Sequence, residues 1–155
     1  MAGGRAALGD GMSRPPLGAR PAVPLTGAQW RTLEVLEDYD LRPVRERLRG
    51  EGAMPAAWLD EAIWEFRRYL GLRLVAGGRV PMLSQPVDAV WHACLLFSRL
   101  YADLCEHAFG EFVHHEPATE PDPDPAGSWR RFADAYVRLY GESPGRLWRL
   151  GGSSD

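Results

Sequence analysis

Between Ser84 and Gly110 apolar side chains recur every three or four residues, and no proline or glycine interrupts them after Pro86. That period belongs to an α-helix. Ser84 is a favourable N-cap, and Pro86 is tolerated in a first turn, where its missing N–H has no helical partner. Gly110 can adopt the left-handed conformation that closes a helix. The spacing therefore predicts one helix over about 84–109, roughly 33 Å long at 1.5 Å per residue. At about 100° per residue, Val90, Cys94, Phe97, Tyr101, Leu104, Cys105 and Ala108 fall within roughly 60° of one line. Asp88, His92, Arg99, Asp103 and Glu106 fall opposite, and Trp91, Leu95, Leu96 and Leu100 fill the flanks. A helix apolar around most of its circumference sits inside a bundle. The expected fold class is all-α, a small helical bundle built around this central, mostly buried helix.

The rest of the chain reads as helices joined by loops. Residues 1–24 are rich in Gly, Ala, Pro and Arg without periodicity and are expected to be a disordered tail. A single helical domain is expected over 25–150. Thr26 and Gln29 form a capping-box pattern that opens a first helix, with Trp30, Leu33 and Leu36 inward. Pro43 restarts a shorter helix closed by Gly50 and Gly52, and Pro55 begins another with Trp58, Leu59, Ile63, Phe66 and Leu70 inward. Residues 116–127 carry prolines and acids and read as an acidic connector within the domain. Ser128 is then expected to cap a last helix ending at Gly141, with Trp148 docking behind it and 151–155 fraying.

A chain of 155 residues can bury one sizeable core, and 45% hydrophobic with 25% charged residues is the composition of a folded domain. The net charge is −3 and every basic residue is Arg, with no run long enough for a basic footprint, so nucleic acid is not an expected partner. No apolar run reaches the length of a membrane span. The first 25 residues lack a continuous apolar signal core, and the two cysteines cannot pair across a straight helix. The expected compartment is the cytoplasm.

All four histidines and both cysteines lie between His92 and His115. Asp88 and His92 are one helical turn apart and can touch. A carboxylate beside imidazole orients the ring and raises its basicity, which serves either a metal ligand or a general base. Along a continuous helix His92 and Cys105 lie roughly 20 Å apart, too far to share one ion. After Gly110 an extended chain reaches about 16 Å, so His114 or His115 meets His92 if the chain doubles back. Adjacent residues in an extended segment point to opposite sides, so only one of the pair can face the site. A metal site would then combine Asp88 and His92 with His114 or His115, an oxygen–nitrogen set suited to Zn²⁺ or Fe²⁺. Cys105 and Arg99 are the further candidates; Cys105 on the core stripe reads first as a small hydrophobe. The chain carries no Cys-x-x-Cys, His-Glu-x-x-His, phosphate loop or Gly-x-Ser-x-Gly elbow.

The run Asp88-x-x-Trp91-His92, followed by Tyr101, Cys105 and Phe109–Gly110, resembles the glycine-rich domain-containing protein-like family. The likeness is strongest over 86–110 and extends toward His115 and the Tyr140–Gly141 region. It implies a helical domain without an agreed reaction. RNA binding in some plant members belongs to a separate domain, and neither that domain nor the glycine-rich tail is found in this sequence. Two functions follow as expectations. In the first, a site around Asp88 and His92 holds a metal ion or small ligand. In the second, the same residues brace a non-catalytic module that meets a partner protein through its Trp-rich surface. No second catalytic group is placed well enough to name an enzyme reaction.

Overall fold

Local signals start and stop most of the helices where the sequence puts them. The computed structural model describes residues 14–150, and the expectations for 1–13 and 151–155 lie outside those residues. Helix α1 spans Gly27–Asp38; Thr26 accepts from the Gln29 N–H, and the Gln29 side chain accepts from the Thr26 N–H. Helix α2, Arg42–Glu51, has Pro43 in its first turn and ends on Gly52 at φ 63°. Pro55 precedes a 3-10 turn, Ala56–Trp58, which leads into α3, Leu59–Gly71. Helix α4 is Gln85–Leu96, capped by Ser84; α5 is Ser98–Phe109, closed by Gly110 at φ 74°. Helix α6 is Pro125–Tyr140, and a 3-10 turn at Arg146–Trp148 follows it. Among the described residues there is no strand, so the protein is an all-α helical bundle.

The expected single central helix is instead two. Phe97 leaves helical geometry at φ −96°, ψ 67°, serving both as the C-cap of α4 and the N-cap of α5. Neither proline nor glycine causes the break. It redirects the chain so that α4 packs on α2 and α3 while α5 packs on α1. Both halves thereby bury an apolar face, Val87, Val90 and Cys94 in one, Tyr101, Leu104 and Cys105 in the other. The Trp91 indole N–H crosses the bend to the Tyr101 hydroxyl at 2.9 Å. Separations measured along a straight 84–109 helix therefore do not apply. Both cysteines are nonetheless free and buried.

A second correction concerns the expected tail. Within 14–22 the chain is anchored to the core: Pro16, Leu17 and Ala19 are buried, and a 3-10 turn at Pro16–Gly18 carries Leu17, which is completely buried. Burying such a leucine contributes about 1.5–3 kcal/mol, enough to hold a short Pro-rich segment that has no periodicity of its own. Leu17 sits at φ 55°, an unfavourable region for a side chain with a Cβ. Its N–H donates to Glu37 at 2.6 Å and its carbonyl accepts from Arg68 at 2.9 Å, which fixes the backbone on both sides. Further on, Arg20 and Ala22 donate N–H bonds to the carbonyls of Leu139 and Arg138 on α6.

Where these terminal pieces meet α3, the core holds a polar network. The Tyr136 hydroxyl donates to Glu65 at 2.7 Å and accepts from Arg68 at 2.8 Å, and the Trp148 indole also donates to Glu65 at 2.8 Å. Arg68 pairs with Glu142 at 2.7 Å and lies 4.4 Å over the Tyr140 ring. Burial works against the Arg68 charge, yet Glu142, Tyr136 and Glu65 together raise its proton affinity above that of an ordinary arginine. The connector is irregular and exposed through Asp124, whose side chain, not that of Ser128, caps α6.

Candidate functional site

Asp88 falls in the first turn of α4 and His92 one turn later, with His92 Nε2 3.2 Å from Asp88 Oδ2. The third member arrives from the far side of α5. Gly110 turns the chain back, and Val113 is then fastened at both ends of its peptide group. Its N–H donates to Cys105 Sγ at 3.5 Å, and its carbonyl accepts from the Tyr101 hydroxyl at 2.6 Å. Two residues on, and therefore on the same side of an extended chain, His115 Nε2 donates to Asp88 Oδ1 at 2.9 Å. Its ring stands edge-on to Trp91 and His92 at centroid distances of 4.4 and 4.6 Å. Trp91 thus does two jobs: its indole nitrogen holds Tyr101, and its face supports His115.

One potential ligand atom each from Asp88, His92 and His115 lies within 4.8 Å of the others, the only such group of three among the described residues. Exposure grades across it: the His115 side chain is 9% exposed, Asp88 33% and His92 59%. One side of the cluster is therefore backed by Trp91 and the other opens to water. Two imidazole nitrogens and a carboxylate oxygen on one open face can accept a cation that keeps free positions for water or a ligand. Without a cation, the carboxylate can only accept, so His115 directs its Nε2–H at Oδ1 of Asp88 while His92 Nε2 lies 3.2 Å from Oδ2.

The remaining candidates lie elsewhere. His114 is exposed with its ring against Phe112 at 4.8 Å, outside the cluster, so the doublet divides as an extended segment requires. Arg99 is exposed on the first turn of α5. Cys105 is buried, and burial raises its thiol pKa despite the Val113 N–H and Tyr101 beside it. The Cys94 thiol is pushed up to about 12, mainly by burial. Neither sulfur offers a thiolate at neutral pH.

The chain matches the UCP032817-like family over residues 33–126. It belongs to that family. No curated protein and no solved structure matches. The stretch shared with the UCP032817-like family runs from mid-α1 into the start of α6, so it includes Asp88, His92, His115 and the Tyr101–Val113 fastening. Residues 14–22 and Trp148, which cover the polar network, fall outside it. No helix among the described residues is long and apolar enough to cross a membrane.

Sequence reasoning missed a second polar feature within the matched stretch. A cleft of about 470 Å³ is lined by the α1–α2 junction and one face of α3, including Tyr39, Arg42, Arg45, Asp60, Trp64 and Arg67. The doublet Arg67–Arg68 reads in sequence as two charges at a helix C-terminus. In the structure Arg68 turns into the core network, and Arg67 turns toward this cleft. The usable signal was the helical period itself, which puts adjacent residues about 100° apart.

Proposed function

We propose that this UCP032817-like domain binds a single divalent transition-metal ion, Zn²⁺ or Fe²⁺, through Asp88, His92 and His115. The observation that carries the reading is the return of His115 to a carboxylate–imidazole pair one helical turn long, with all three donors inside 4.8 Å. Zn²⁺ or Fe²⁺ ligated at about 2.0–2.2 Å needs donors only a few ångströms apart, and the 2.9 and 3.2 Å pairs fit that without moving a helix. Three protein ligands on an open face are the arrangement of sites that take up water or a small ligand, in contrast to closed four-ligand structural sites. The likeness of Asp88-x-x-Trp91-His92 to the glycine-rich domain-containing protein-like family supports the same residues and supplies no reaction. Two free buried thiols support a reducing, cytoplasmic setting.

The test is elemental analysis of protein prepared without a histidine tag under reducing, metal-replete conditions. One equivalent of Zn or Fe is expected, lost in His92→Ala and His115→Ala and kept in His107→Ala and His114→Ala. Absence of stoichiometric metal from the unaltered protein overturns the reading. One observation favours a second reading, a scaffold module. Asp88 already accepts a hydrogen bond from His115, which ties the return segment to α4, and keeps its other oxygen 3.2 Å from His92. On that reading His115→Ala lowers the melting temperature and added metal does nothing to the unaltered protein.

A further inference from the structure

Three arginines line the α1–α3 cleft, and two of them show how this surface handles a carboxylate. Arg42 holds Asp40 side-on, Nε to Oδ1 at 2.9 Å and Nη2 to Oδ2 at 2.8 Å. Arg45 presents the same edge to Asp60, Nε to Oδ1 at 2.7 Å and Nη2 to Oδ2 at 3.5 Å. Arg67 is the most enclosed of the three, and its hydrogen bonds go elsewhere. Its Nη1 alone donates, to the carbonyls of Leu36 at 2.7 Å and Tyr39 at 2.8 Å, which anchors the guanidinium between α3 and the end of α1. Its Nε and Nη2 have no protein partner, and no buried side-chain nitrogen among the described residues lacks one, so this edge is accessible from outside, on a residue that lines the cleft. Arg67 therefore offers the same fork that its two neighbours have filled, already fixed in place.

We infer that the cleft binds a small organic monocarboxylate, gripped side-on by Nε and Nη2 of Arg67, with its apolar body against Ile63 and Trp64. A planar two-donor edge matches the two oxygens of a carboxylate, and such bidentate pairs are the stronger and more directional kind. Charge sets the class further. Asp38, Asp40 and Asp60 balance Arg42, Arg45 and Arg67 around the cleft, so the same carboxylates repel a phosphate dianion about twice as strongly as a monoanion. Burial is the main influence on Arg67 and weakens its hold on its own charge, a cost that an arriving anion offsets. The volume, about 470 Å³, leaves room for a small molecule. This inference is independent of the metal reading.

The experiment titrates the full chain with benzoate, its uncharged analogue benzamide, and inorganic phosphate, following backbone and Trp64 indole signals by NMR. Benzoate is expected to shift signals around Arg67 and Trp64 at millimolar concentration, with benzamide and phosphate far weaker. Arg67→Lys keeps the charge and can still reach the Leu36 and Tyr39 carbonyls but has no fork. It is expected to weaken benzoate by at least about tenfold, the worth of one charged hydrogen bond. Asp38→Asn removes a competing charge without touching that fork and is expected to strengthen benzoate. Unshifted Arg67 and Trp64 signals, equal binding by a folded Arg67→Lys, or phosphate binding above benzoate would overturn the proposal.

Discussion

The Glu65–Arg68 network and the Asp88–His92–His115 cluster are made of the same materials, carboxylates and cationic or ring nitrogens braced by aromatic rings, yet they end in opposite states. Around Glu65 and Arg68 the protein supplies the partners from its own ends. Leu17 comes from the N-terminal segment, Tyr136 and Glu142 from α6 and the turn beyond it, and Trp148 from the last turn. Glu65 and Arg68 are left 7% and 6% exposed. Around Asp88 the partners arrive from one side only, and His92 remains mostly in water. A buried charge enclosed by its own chain has nothing left to bind and works as a fastening. A cluster with one wet face keeps coordination to spare. The family match shows the same division, since it spans the open cluster and omits the segments that close the network.

Breaking the closed network carries the largest expected effect. Arg68→Met leaves the Glu65 carboxylate its two donors, Tyr136 and Trp148, but removes the cation that Tyr136 links to it. Leaving a buried charge without its compensating cation costs about 3–5 kcal/mol, to be read from the denaturation midpoint at unchanged slope. Arg68→Met combined with Glu65→Leu removes both charges and is expected to recover part of that loss. A loss below about 1 kcal/mol for the single variant would mean that water already reaches the network and the contrast is one of degree.

The parts of the molecule legible in the sequence were those set by neighbours in the chain. The capping box at Thr26, the proline at the start of α2 and the glycines after α2, α5 and α6 all act within one turn, and each is where the pattern puts it. The Asp88–His92 pair was legible for the same reason. What failed depended on distant partners. The bend at Phe97 has no local breaker and exists because α1 and α3 offer two faces to bury against. Residues 14–22 look like tail by composition and fold because Leu17 finds the core and Arg68 finds its carbonyl. Sequence periodicity limits the site to one of His114 and His115, but the choice between them rests on how Val113 is fastened to α5.

A milder perturbation probes how tightly the network is closed. Gly71, at the end of α3, faces Tyr140: an added Cβ would stand 2.7 Å from its hydroxyl and 3.0 Å from Leu33 Cδ2. The hydroxyl has little room to yield, because it donates to the Arg68 carbonyl at 2.6 Å and Tyr140 is 1% exposed. Overpacking of this kind costs about 1–3 kcal/mol, and the better helix propensity of alanine returns up to about 1. Gly71→Ala is thus expected to destabilise by roughly 1–2 kcal/mol in thermal or chemical unfolding. Unchanged or increased stability would show that the α3–α6 contact is looser than its distances imply.

The smallest effects belong to the open cluster, and there the sign of the difference matters more than its size. In metal-free protein, His115→Ala loses a partly buried hydrogen bond to Asp88 and the contact with Trp91, for about 1–2 kcal/mol. His92→Ala removes a side chain that is 59% exposed and is expected to change stability by no more than about 0.5 kcal/mol. Adding Zn²⁺ then separates fastening from binding. Any ligand that prefers the native state raises its stability by mass action, so the unaltered protein should gain in melting temperature with rising Zn²⁺ while both variants gain little. His92→Ala is the decisive case, because it is nearly silent without metal. If it responds to Zn²⁺ as fully as the unaltered protein does, the exposed ring contributes no ligand. The cluster would then be a second, looser fastening of the kind seen around Glu65.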